Sequence, residues 1–459
     1  MNTPICDCVA RYLAENPARF HMPGHKGRLF TGAERGDITE IRGADDLYAP
    51  RGIIRESEEN AARIFGSGRT LYSAEGSSQC IRAMLAMAAW RAEETGLPRR
   101  ILAGRNAHKT LMTAAALLDL EIDWLMPEAG EGLLSCTVRP EILREKLAEQ
   151  AYAAVYLTSP DYIGHLAPAD TIAAACRGAG VPLLVDNAHG AYLKFLEPDR
   201  HPISLGADLC CDSAHKTLPC LTGAAYLHIG KNPQWDWAGR AKEAMALFGS
   251  TSPSWLILQS LDRANPELAG DFPRRLAAAA DRLEQLKARL RDRGWRTEGD
   301  EPMKLTLAPR SRGYTGEELA EILEKQGIIC EFADPDFLTL MPSAETAEAE
   351  WERLEKALEI GAKAPLREER PDPGRPERVL RIREAMLAPA ETVSIEAAEG
   401  RILADAGVHC PPAVPIRIAG ERIDAAATDC FRYYGIRTCR VVRREKENFP
   451  KPLAQQRSV

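Results

Sequence analysis

The chain has 459 residues, of which 45% are hydrophobic and 27% are charged, and its formal net charge is −7. This length can bury a large core and suggests two or three domains, while the negative charge gives no reason to expect a nucleic-acid partner. Because the sequence contains no apolar run of about 18 residues and no signal-peptide pattern, we expect a cytoplasmic protein without a membrane segment.

The twelve cysteines are best explained as reduced structural thiols. None forms a Cys-x-x-Cys pair, and Cys210-Cys211 lie in an apparent buried strand. Cys6 and Cys8 could be combined with His21 and His25 into a zinc site. Their spacing fits no standard zinc pattern, so we expect no metal.

In chain order, residues 1–50 come first and are rich in glycine, proline and charge. They lack helical or strand periodicity, which predicts an arm lying over other structure. From residue 57 to residue 229, helical and strand patterns alternate. The predicted helices are 57–65, 79–94, 114–120, 138–150 and 169–177, and the predicted strands are 100–103, 122–125, 153–158, 181–185, 207–211 and 223–229. Strands separated by helices of about ten or more residues imply an α/β fold with a mainly parallel sheet covered on both faces.

A long charged helix over 273–293 leads into a predicted smaller α+β domain. The predicted strands of that domain are 305–307, 328–332 and 337–340, and its predicted helices are 316–325 and 345–361. The predicted division of the chain is an arm (1–50), a large domain (51–265), a smaller carboxyl-terminal region (266–445) and a tail (446–459). From residue 431 onward the sequence carries eight Lys or Arg against two Glu, which we interpret as a solvated tail.

The Gly76-Ser77-Ser78 turn precedes a strongly apolar helix. Such a turn offers unpaired backbone N–H groups, two hydroxyls and the positive end of the helix dipole, which together suit a phosphate. On this turn alone, plain N-capping is the better explanation.

Lys216 is the candidate reactive residue. It lies in a short polar turn, between His215 and Thr217, directly after the predicted strand 207–211. A lone lysine after a strand is usually a solvated surface residue. Asp186, however, ends the buried strand 181–185 at its carboxyl end, where open α/β sheets bind ligands. A carboxylate keeps a pyridine nitrogen protonated, and a lysine with a lowered pKa forms a Schiff base, so the pair predicts pyridoxal phosphate.

Several short motifs resemble, in the same order, those of the ornithine/lysine/arginine decarboxylases. They are Phe20 to Gly27, Asp37-Ile38-Thr39-Glu40, Asp45-Asp46-Leu47-Tyr48, Gly76-Ser77-Ser78, Asn106-Ala107-His108-Lys109, Asp186-Asn187-Ala188-His189-Gly190, Ser213-Ala214-His215-Lys216-Thr217 and Ser250-Thr251-Ser252-Pro253-Ser254. The resemblance runs from about residue 20 to residue 425. It implies the aspartate-aminotransferase-like fold (fold type I of the pyridoxal phosphate enzymes), a homodimer or larger assembly, and decarboxylation of a basic amino acid to a polyamine precursor.

The resemblance also implies a role for each matching residue. Lys216 would hold the cofactor, Asp186 would pair with the pyridine nitrogen, Ala188 would pack beneath the ring and His108 would stack on its other face. The implied cofactor contacts further include Gly76, Ser77, Ser78, His189 and Ser213 in the same chain, with Ser250 and Thr251 reaching the phosphate of the neighbouring subunit. His215 would lie near the substrate carboxylate, and either His215 or Lys216 would return the proton to the substrate.

The chain departs from the family pattern in three places. Asn187 stands where many relatives have Glu, and Asp405 is a candidate replacement for a Glu that relatives use near the substrate's distal amine. The choice among arginine, lysine and ornithine is therefore open. The sequence is also expected to lack the amino-terminal wing and the long carboxyl-terminal extension of the large family members.

Two other functions are compatible with the same pattern. The fold and the Asp/Lys pair do not choose which bond is broken, so an aminotransferase is one alternative. A catalytically silent homologue that still binds pyridoxal phosphate is the other.

Overall fold

The computed structural model of the protein describes residues 1–28, 31–127, 138–367, 370–410 and 414–443. The predicted tail (446–459) and the Pro411-Pro412-Ala413 segment lie outside these residues. None of the helices in the described part of the chain is both long and apolar enough to cross a lipid bilayer.

A seven-stranded sheet forms the centre of the fold. Its strands are β1 (Arg69–Ser73), β2 (Arg100–Gly104), β3 (Glu121–Leu125), β4 (Ala154–Thr158), β5 (Leu183–Asp186), β6 (Leu209–Asp212) and β7 (Ala225–Ile229), in the spatial order β1-β7-β6-β5-β4-β2-β3. Only β7 runs antiparallel to its neighbours, and the remaining pairs are parallel. The prediction of a mainly parallel sheet is confirmed.

Helices cover both faces of this sheet. They include α2 (Ile53–Phe65), α3 (Ser77–Thr95), α4 (Lys109–Leu118), α5 (Pro140–Glu149), α6 (Ala169–Gly178), α7 (Ala214–Thr217), α8 (Ala241–Ala246), α9 (Trp255–Ala269) and α10 (Phe272–Asp292), with a 3-10 helix over Ala191–Phe195. Successive residues of a strand point to opposite faces. Leu184 accordingly packs in the core beneath α3 and α4, while Val185 packs in the core beneath α5 and α6.

The amino-terminal segment contains a helix that the sequence analysis missed. Residues Pro4–Glu15 form α1, in which proline occupies the start of the helix, where its missing N–H costs nothing. Only Ile5 and Val9 of its larger apolar side chains are fully buried, against α2 and α9. So narrow an apolar stripe gave little periodic signal. Apart from a bridge between Arg42 and Ala44, the described residues from 16 to 52 contain no further helix or strand.

The next unit is a four-stranded antiparallel sheet in the order β10-β11-β9-β8. These strands are β8 (Thr297–Glu298), β9 (Leu305–Leu307), β10 (Phe332–Ala333) and β11 (Leu338–Leu340), accompanied by a 3-10 helix over Pro309–Arg312 and by α11 (Gly316–Glu324) and α12 (Glu348–Ala357). The predicted strand 328–332 is wrong except at its last residue. The N–H of Ile328 bonds back to the carbonyl of Leu323, after Gly327 turns with a φ of 75°, so this apolar residue closes a helix end.

The carboxyl-terminal elements form two antiparallel strand pairs with short helices. They are α13 (Ile382–Leu387), β12 (Ala390–Ser394), α14 (Ile395–Ala398), β13 (Gly407–Cys410), β14 (Val414–Ile418), α15 (Ala425–Tyr433) and β15 (Thr438–Val442). Strand β12 pairs with β15, and β13 pairs with β14. The α+β character of the region matches the prediction, while the predicted domain boundaries stay predictions.

Candidate active site

Two adjacent parallel strands deliver the candidate residues to one edge of the large sheet. Asp186 is the last residue of β5, and its Cα lies opposite that of Cys211 in β6. Lys216 follows β6 within α7. Because the carboxyl ends of parallel strands meet at the same edge, the two predicted residues are brought together.

The carboxylate of Asp186 is buried and held by three donors. The hydroxyl of Tyr156 donates to Oδ2 at 3.1 Å, the N–H of Ala188 donates to Oδ1 at 3.2 Å, and the thiol of Cys211 donates to Oδ1 at 3.7 Å. Burial, together with the negative charge of Asp186, raises the pKa of Tyr156 well above its usual value. The phenol therefore keeps its proton and remains a donor to the carboxylate.

The amine of Lys216 lies 2.9 Å from Nε2 of His189. Although Lys216 is exposed as a residue, its amine end is enclosed, and this desolvation lowers the pKa of Lys216, with Asp186 opposing the shift. Desolvation and the nearby charges of Lys304 and Lys216 lower the pKa of His189 well below its usual value. At neutral pH His189 is therefore an uncharged imidazole beside the reactive amine.

Four hydroxyl groups lie in two pairs at the start of α3. The hydroxyl of Ser213 donates to that of Ser77 at 2.8 Å, and Oγ of Ser78 lies 3.3 Å from Oγ1 of Thr110. The N-cap of the helix is Gly76, with a φ of 72°, so neither Ser77 nor Ser78 occupies the capping position. Plain N-capping therefore does not account for the two serines. Hydroxyls at a free helix N-terminus form an anion site.

Two further histidines contribute neutral rings to the same region. Nδ1 of His108 accepts the N–H of Thr110 at 3.3 Å, so its proton lies on Nε2. Nδ1 of His215 donates to the carbonyl of Ala224 at 2.9 Å, so its proton lies on Nδ1. Burial lowers the pKa of both rings. The charge of Asp186 opposes this lowering of the His108 pKa, and that of Lys216 adds to it.

The remaining predicted residues contact other parts of the chain. The N–H of Ser250 donates to Glu75 of the same chain, next to the Gly76 turn, and Thr251 is exposed. Asp405 pairs with Arg440, with Oδ1 lying 3.3 Å from the guanidinium. The predicted contribution of Ser250 and Thr251 to a neighbouring subunit, and that of Asp405 to substrate binding, stay predictions.

A buried network below the site was not anticipated from the sequence. Oδ2 of Asp212 accepts hydrogen bonds from Nε2 of His201 and of His228, each at 3.0 Å, and Oδ1 accepts one from Nδ2 of Asn187 at 2.7 Å. These contacts lower the pKa of Asp212 despite its complete burial. The network thereby fixes Asn187, the residue that follows Asp186.

The same network contains a geometric candidate for a metal site. The ligand atoms of His201, Cys210 and Asp212 lie within 4.8 Å of one another. Nδ1 of His201 accepts the N–H of Ile203 at 3.3 Å, so its proton lies on Nε2 and is donated to Asp212. This proton position favours a hydrogen-bonded network, and the expectation of no metal stays a prediction.

The donor set matches the chemistry of the aldehyde, the ring nitrogen and the phosphate of pyridoxal phosphate. Lys216 offers an amine for the aldehyde, Asp186 a carboxylate for the ring nitrogen, and His108 a neutral ring for one face. The serine hydroxyls at the start of α3 offer donors for the phosphate. Sequence reasoning missed Tyr156 and Lys304, since a strand tyrosine and a lysine from a later unit carry no motif.

The fold is that of the fold type I, aspartate-aminotransferase-like enzymes. The structure superposes on the constitutive lysine decarboxylase of Escherichia coli with a TM-score of 0.76 and 20% sequence identity, covering 96% of this chain and 82% of that chain. At this identity the likeness shows the fold alone.

Sequence comparison defines the family. A family model described as "Orn/Lys/Arg decarboxylase, major domain" matches residues 3–299, and the model for its C-terminal domain matches residues 378–450. The chain is 31% identical to the uncharacterized protein YaaO of Bacillus subtilis, covering 92% of each, and 29% identical to the arginine decarboxylase of the same organism, covering 92% of this chain and 91% of that protein. The chain belongs to the Orn/Lys/Arg decarboxylase family. It is thus a decarboxylase by family, which confirms the predicted fold and enzyme class.

Proposed function

We propose that this enzyme removes the α-carboxylate of a basic amino acid as CO2, with arginine as the first candidate substrate and agmatine as its product. The observation that carries the proposal is the enclosed amine of Lys216, 2.9 Å from His189, at the same sheet edge as the three-donor carboxylate of Asp186. The arginine decarboxylase that aligns along 92% of the chain supports arginine over lysine or ornithine. The amines formed from all three are polyamine precursors, so the proposed process is polyamine biosynthesis.

The cofactor in this proposal is pyridoxal 5'-phosphate. Lys216 would bind it covalently, Asp186 would pair with its ring nitrogen, and Ala188 and His108 would lie against its two faces. Gly76, Ser77, Ser78 and Ser213 would bind the phosphate, and His189 and His215 would border the ring. When bound, this cofactor acts as a sink for the electron pair left at the α-carbon when CO2 departs.

The protein's own residues would then orient the groups around the cofactor and fix where protons lie. Three fixed donors keep Asp186 oriented before any ligand binds, so no reorganisation of the carboxylate is needed. His215 is neutral and carries its proton on Nδ1, facing the carbonyl of Ala224, so its Nε2 has no proton to give. This arrangement disfavours His215 as the group that returns a proton to the α-carbon.

We further propose a cytoplasmic homodimer with its site near the subunit interface. Phe20, Met22, Leu221 and Leu247 expose 97%, 66%, 52% and 58% of their surface in the single chain. In the proposed dimer, the neighbouring subunit would cover these side chains. Sedimentation analysis of the cofactor-loaded protein tests this assembly, and a monomer at micromolar concentration would contradict it.

A substrate panel tests the proposed reaction. The cofactor-loaded protein is incubated with arginine, lysine, ornithine and smaller amino acids, and both CO2 and the amine formed are measured. We expect CO2 with agmatine as the fastest product. CO2 with cadaverine would identify lysine as the substrate, and CO2 with putrescine would identify ornithine. A 2-keto acid would identify an aminotransferase. Bound cofactor without turnover of any amino acid would identify a silent homologue.

A further inference from the structure

Lys304 is a buried cation that contacts His189 of the candidate site. It lies just before β9, is 2% exposed, and its amine has three acceptors. These are Oε2 of Glu301 at 2.9 Å, the carbonyl of Asp161 at 3.2 Å and Nδ1 of His189 at 3.4 Å. An ammonium group has N–H donors and no lone pair, so Lys304 donates to the Asp161 carbonyl and to His189 and forms an ion pair with Glu301.

The surroundings of Glu301, the ion-pair partner of Lys304, are consistent with Lys304 being an ammonium cation. Oε1 of Glu301 accepts the hydroxyl hydrogen bond of Tyr192 at 3.0 Å, while Oε2 faces the ammonium. Oε1 of Glu301 therefore faces a donor and Oε2 faces a cation, as expected of a carboxylate. A buried carboxylate paired with an ammonium is the arrangement in which each group offsets the desolvation of the other.

The contact with Lys304 determines where His189 carries its proton. Since Lys304 can only donate, Nδ1 of His189 must accept, and the single proton of the neutral ring lies on Nε2. That Nε2–H faces the amine of Lys216 at 2.9 Å. A donor at this distance requires a lone pair, which a neutral amine has and an ammonium lacks.

We propose that Lys304 is a positioning residue that fixes the Nε2–H tautomer of His189 and thereby holds Lys216 as a free amine. The free amine is the form of lysine that attacks an aldehyde. The inference rests on the proposed function only in its assumption that Lys216 is the anchor of the cofactor. Lys304 itself would not touch the reacting atoms.

Other charged groups also face Lys216 and His189 and influence the protonation of both. Asp186, Glu331 and Cys211 favour the ammonium form of Lys216, whereas burial and Lys304 disfavour it. His189 is faced by Lys304, Lys216, His108 and His215, and by the edge of the Tyr162 ring with centroids 5.2 Å apart. Among the groups that disfavour the charged amine, Lys304 is the cation that acts both directly and through His189.

The test measures the protonation of Lys216 in the protein without cofactor, so it does not depend on turnover. Acetic anhydride reacts with free amines, and the extent of Lys216 acetylation is followed by peptide mass spectrometry across a pH series. The variant is Lys304→Met combined with Glu301→Gln, which removes both charges and leaves no unpaired carboxylate. We expect the midpoint of Lys216 labelling to rise by about one pH unit, which is about a tenfold lower labelling rate near pH 7.

Lys287→Met is the matched control. Lys287 is also a buried lysine and donates to the carbonyl of the same Glu301 at 3.1 Å, but it does not contact His189. Its replacement should leave the midpoint of Lys216 unchanged. An unchanged midpoint in the folded double variant, or an equal shift in Lys287→Met, would overturn the inference.

A second measurement needs no change at Lys304. Nitrogen-15 chemical shifts of selectively labelled histidines distinguish protonated from unprotonated ring nitrogens, and His189→Gln assigns the signal. We expect His189 to be protonated on Nε2 and unprotonated on Nδ1, and the opposite tautomer would refute the inference. If the tautomer and the labelling shift are found but no amino acid is decarboxylated, the proposed function fails while this inference stands.

Discussion

Tyr156 and Asp186 lie on adjacent parallel strands and are joined by a hydrogen bond of 3.1 Å from the phenol to Oδ2. Strand β4 pairs with β5 so that Thr158 lies opposite Asp186, which brings the side chain of Tyr156 toward the carboxylate from the centre of the sheet. Both residues are almost completely buried. The carboxylate proposed to hold the ring nitrogen is therefore fixed by the sheet itself.

Replacing Asp186 with alanine should abolish most of the activity. The cationic ring nitrogen would lose its buried partner, and breaking a buried pair in this way costs about 3–5 kcal/mol. Since about 1.36 kcal/mol corresponds to a tenfold change in rate, we expect kcat for CO2 release to fall by about 10² to 10³. Asp186→Glu, which keeps the charge but displaces it, should lose less. Normal turnover by Asp186→Ala would remove the electron-sink role from this residue.

Tyr156→Phe should have a smaller effect of the same kind. It removes one of three donors to the carboxylate, and a hydrogen bond to a charged group contributes about 1.5–3 kcal/mol, so we expect kcat to fall by about tenfold or more. The matched control is Tyr152→Phe, because Tyr152 is equally buried and donates to Asp123 at 3.2 Å, next to β4. Equal losses of kcat in the two variants would show that the effect is one of stability.

The sequence predicted the large sheet because its elements carry strong local signals. The strand ending at Asp186 is a continuous apolar run, and all four residues of β5 are buried. The errors occurred where tertiary contacts override local pattern. Helix α1 has a thin apolar stripe, and Ile328 packs at a helix end instead of in a strand.

The candidate site was predictable only where it follows the ends of strands. Asp186 and Lys216 could be paired because neighbouring parallel strands share an edge. Lys304 lies just before β9 and reaches His189 from more than a hundred positions later in the chain, so no local pattern encodes that contact. The two histidines around Asp212 converge for the same reason, from a loop and from β7.

Lys216→Ala should abolish the visible absorbance that a lysine-bound pyridoxal phosphate gives. The amine is the only group of the chain to which we assign covalent binding, so the variant should release the cofactor on gel filtration. The measurement compares absorbance spectra before and after filtration. Lys146→Ala removes an exposed lysine that pairs with Glu149 on α5, and it should keep the spectrum of the unaltered protein. Retention of the absorbance in Lys216→Ala would show that another lysine is the anchor.

Stability should fall as the pH falls from neutral. Burial lowers the pKa of His228 in the folded state, so His228 stays neutral there, whereas the unfolded chain binds a proton near pH 6.5. The contribution of His228 to stability is therefore complete above about pH 6.5. It is lost as the pH falls toward the folded-state pKa of His228. Asp212 also has a lowered pKa, and its contribution is complete above the unfolded value near 3.9 and is lost on further acidification. Urea unfolding at a series of pH values measures the loss of stability in both pH ranges. A stability that does not change between about pH 7 and pH 5 would contradict the role given to His228.

The variant Asp212→Asn separates the contribution of Asp212 to the pH dependence of stability from that of His228. The new amide can place its oxygen toward the two histidine N–H groups or toward Asn187, and its NH2 group then meets another donor. Turning the Asn187 amide, whose Oδ1 has no partner, would only transfer the unsatisfied group to Asn187. An unsatisfied buried group costs about 1–3 kcal/mol, so we expect the free energy of unfolding at pH 7 to fall by that amount. The difference from the unaltered protein should narrow below about pH 4, because only the unaltered protein still has an aspartate at 212 to protonate. Asp429→Asn, which alters an exposed pair with Arg432, should change neither quantity. If Asp212→Asn were as stable as the unaltered protein at pH 7, the two histidines would have to be held by something other than the carboxylate.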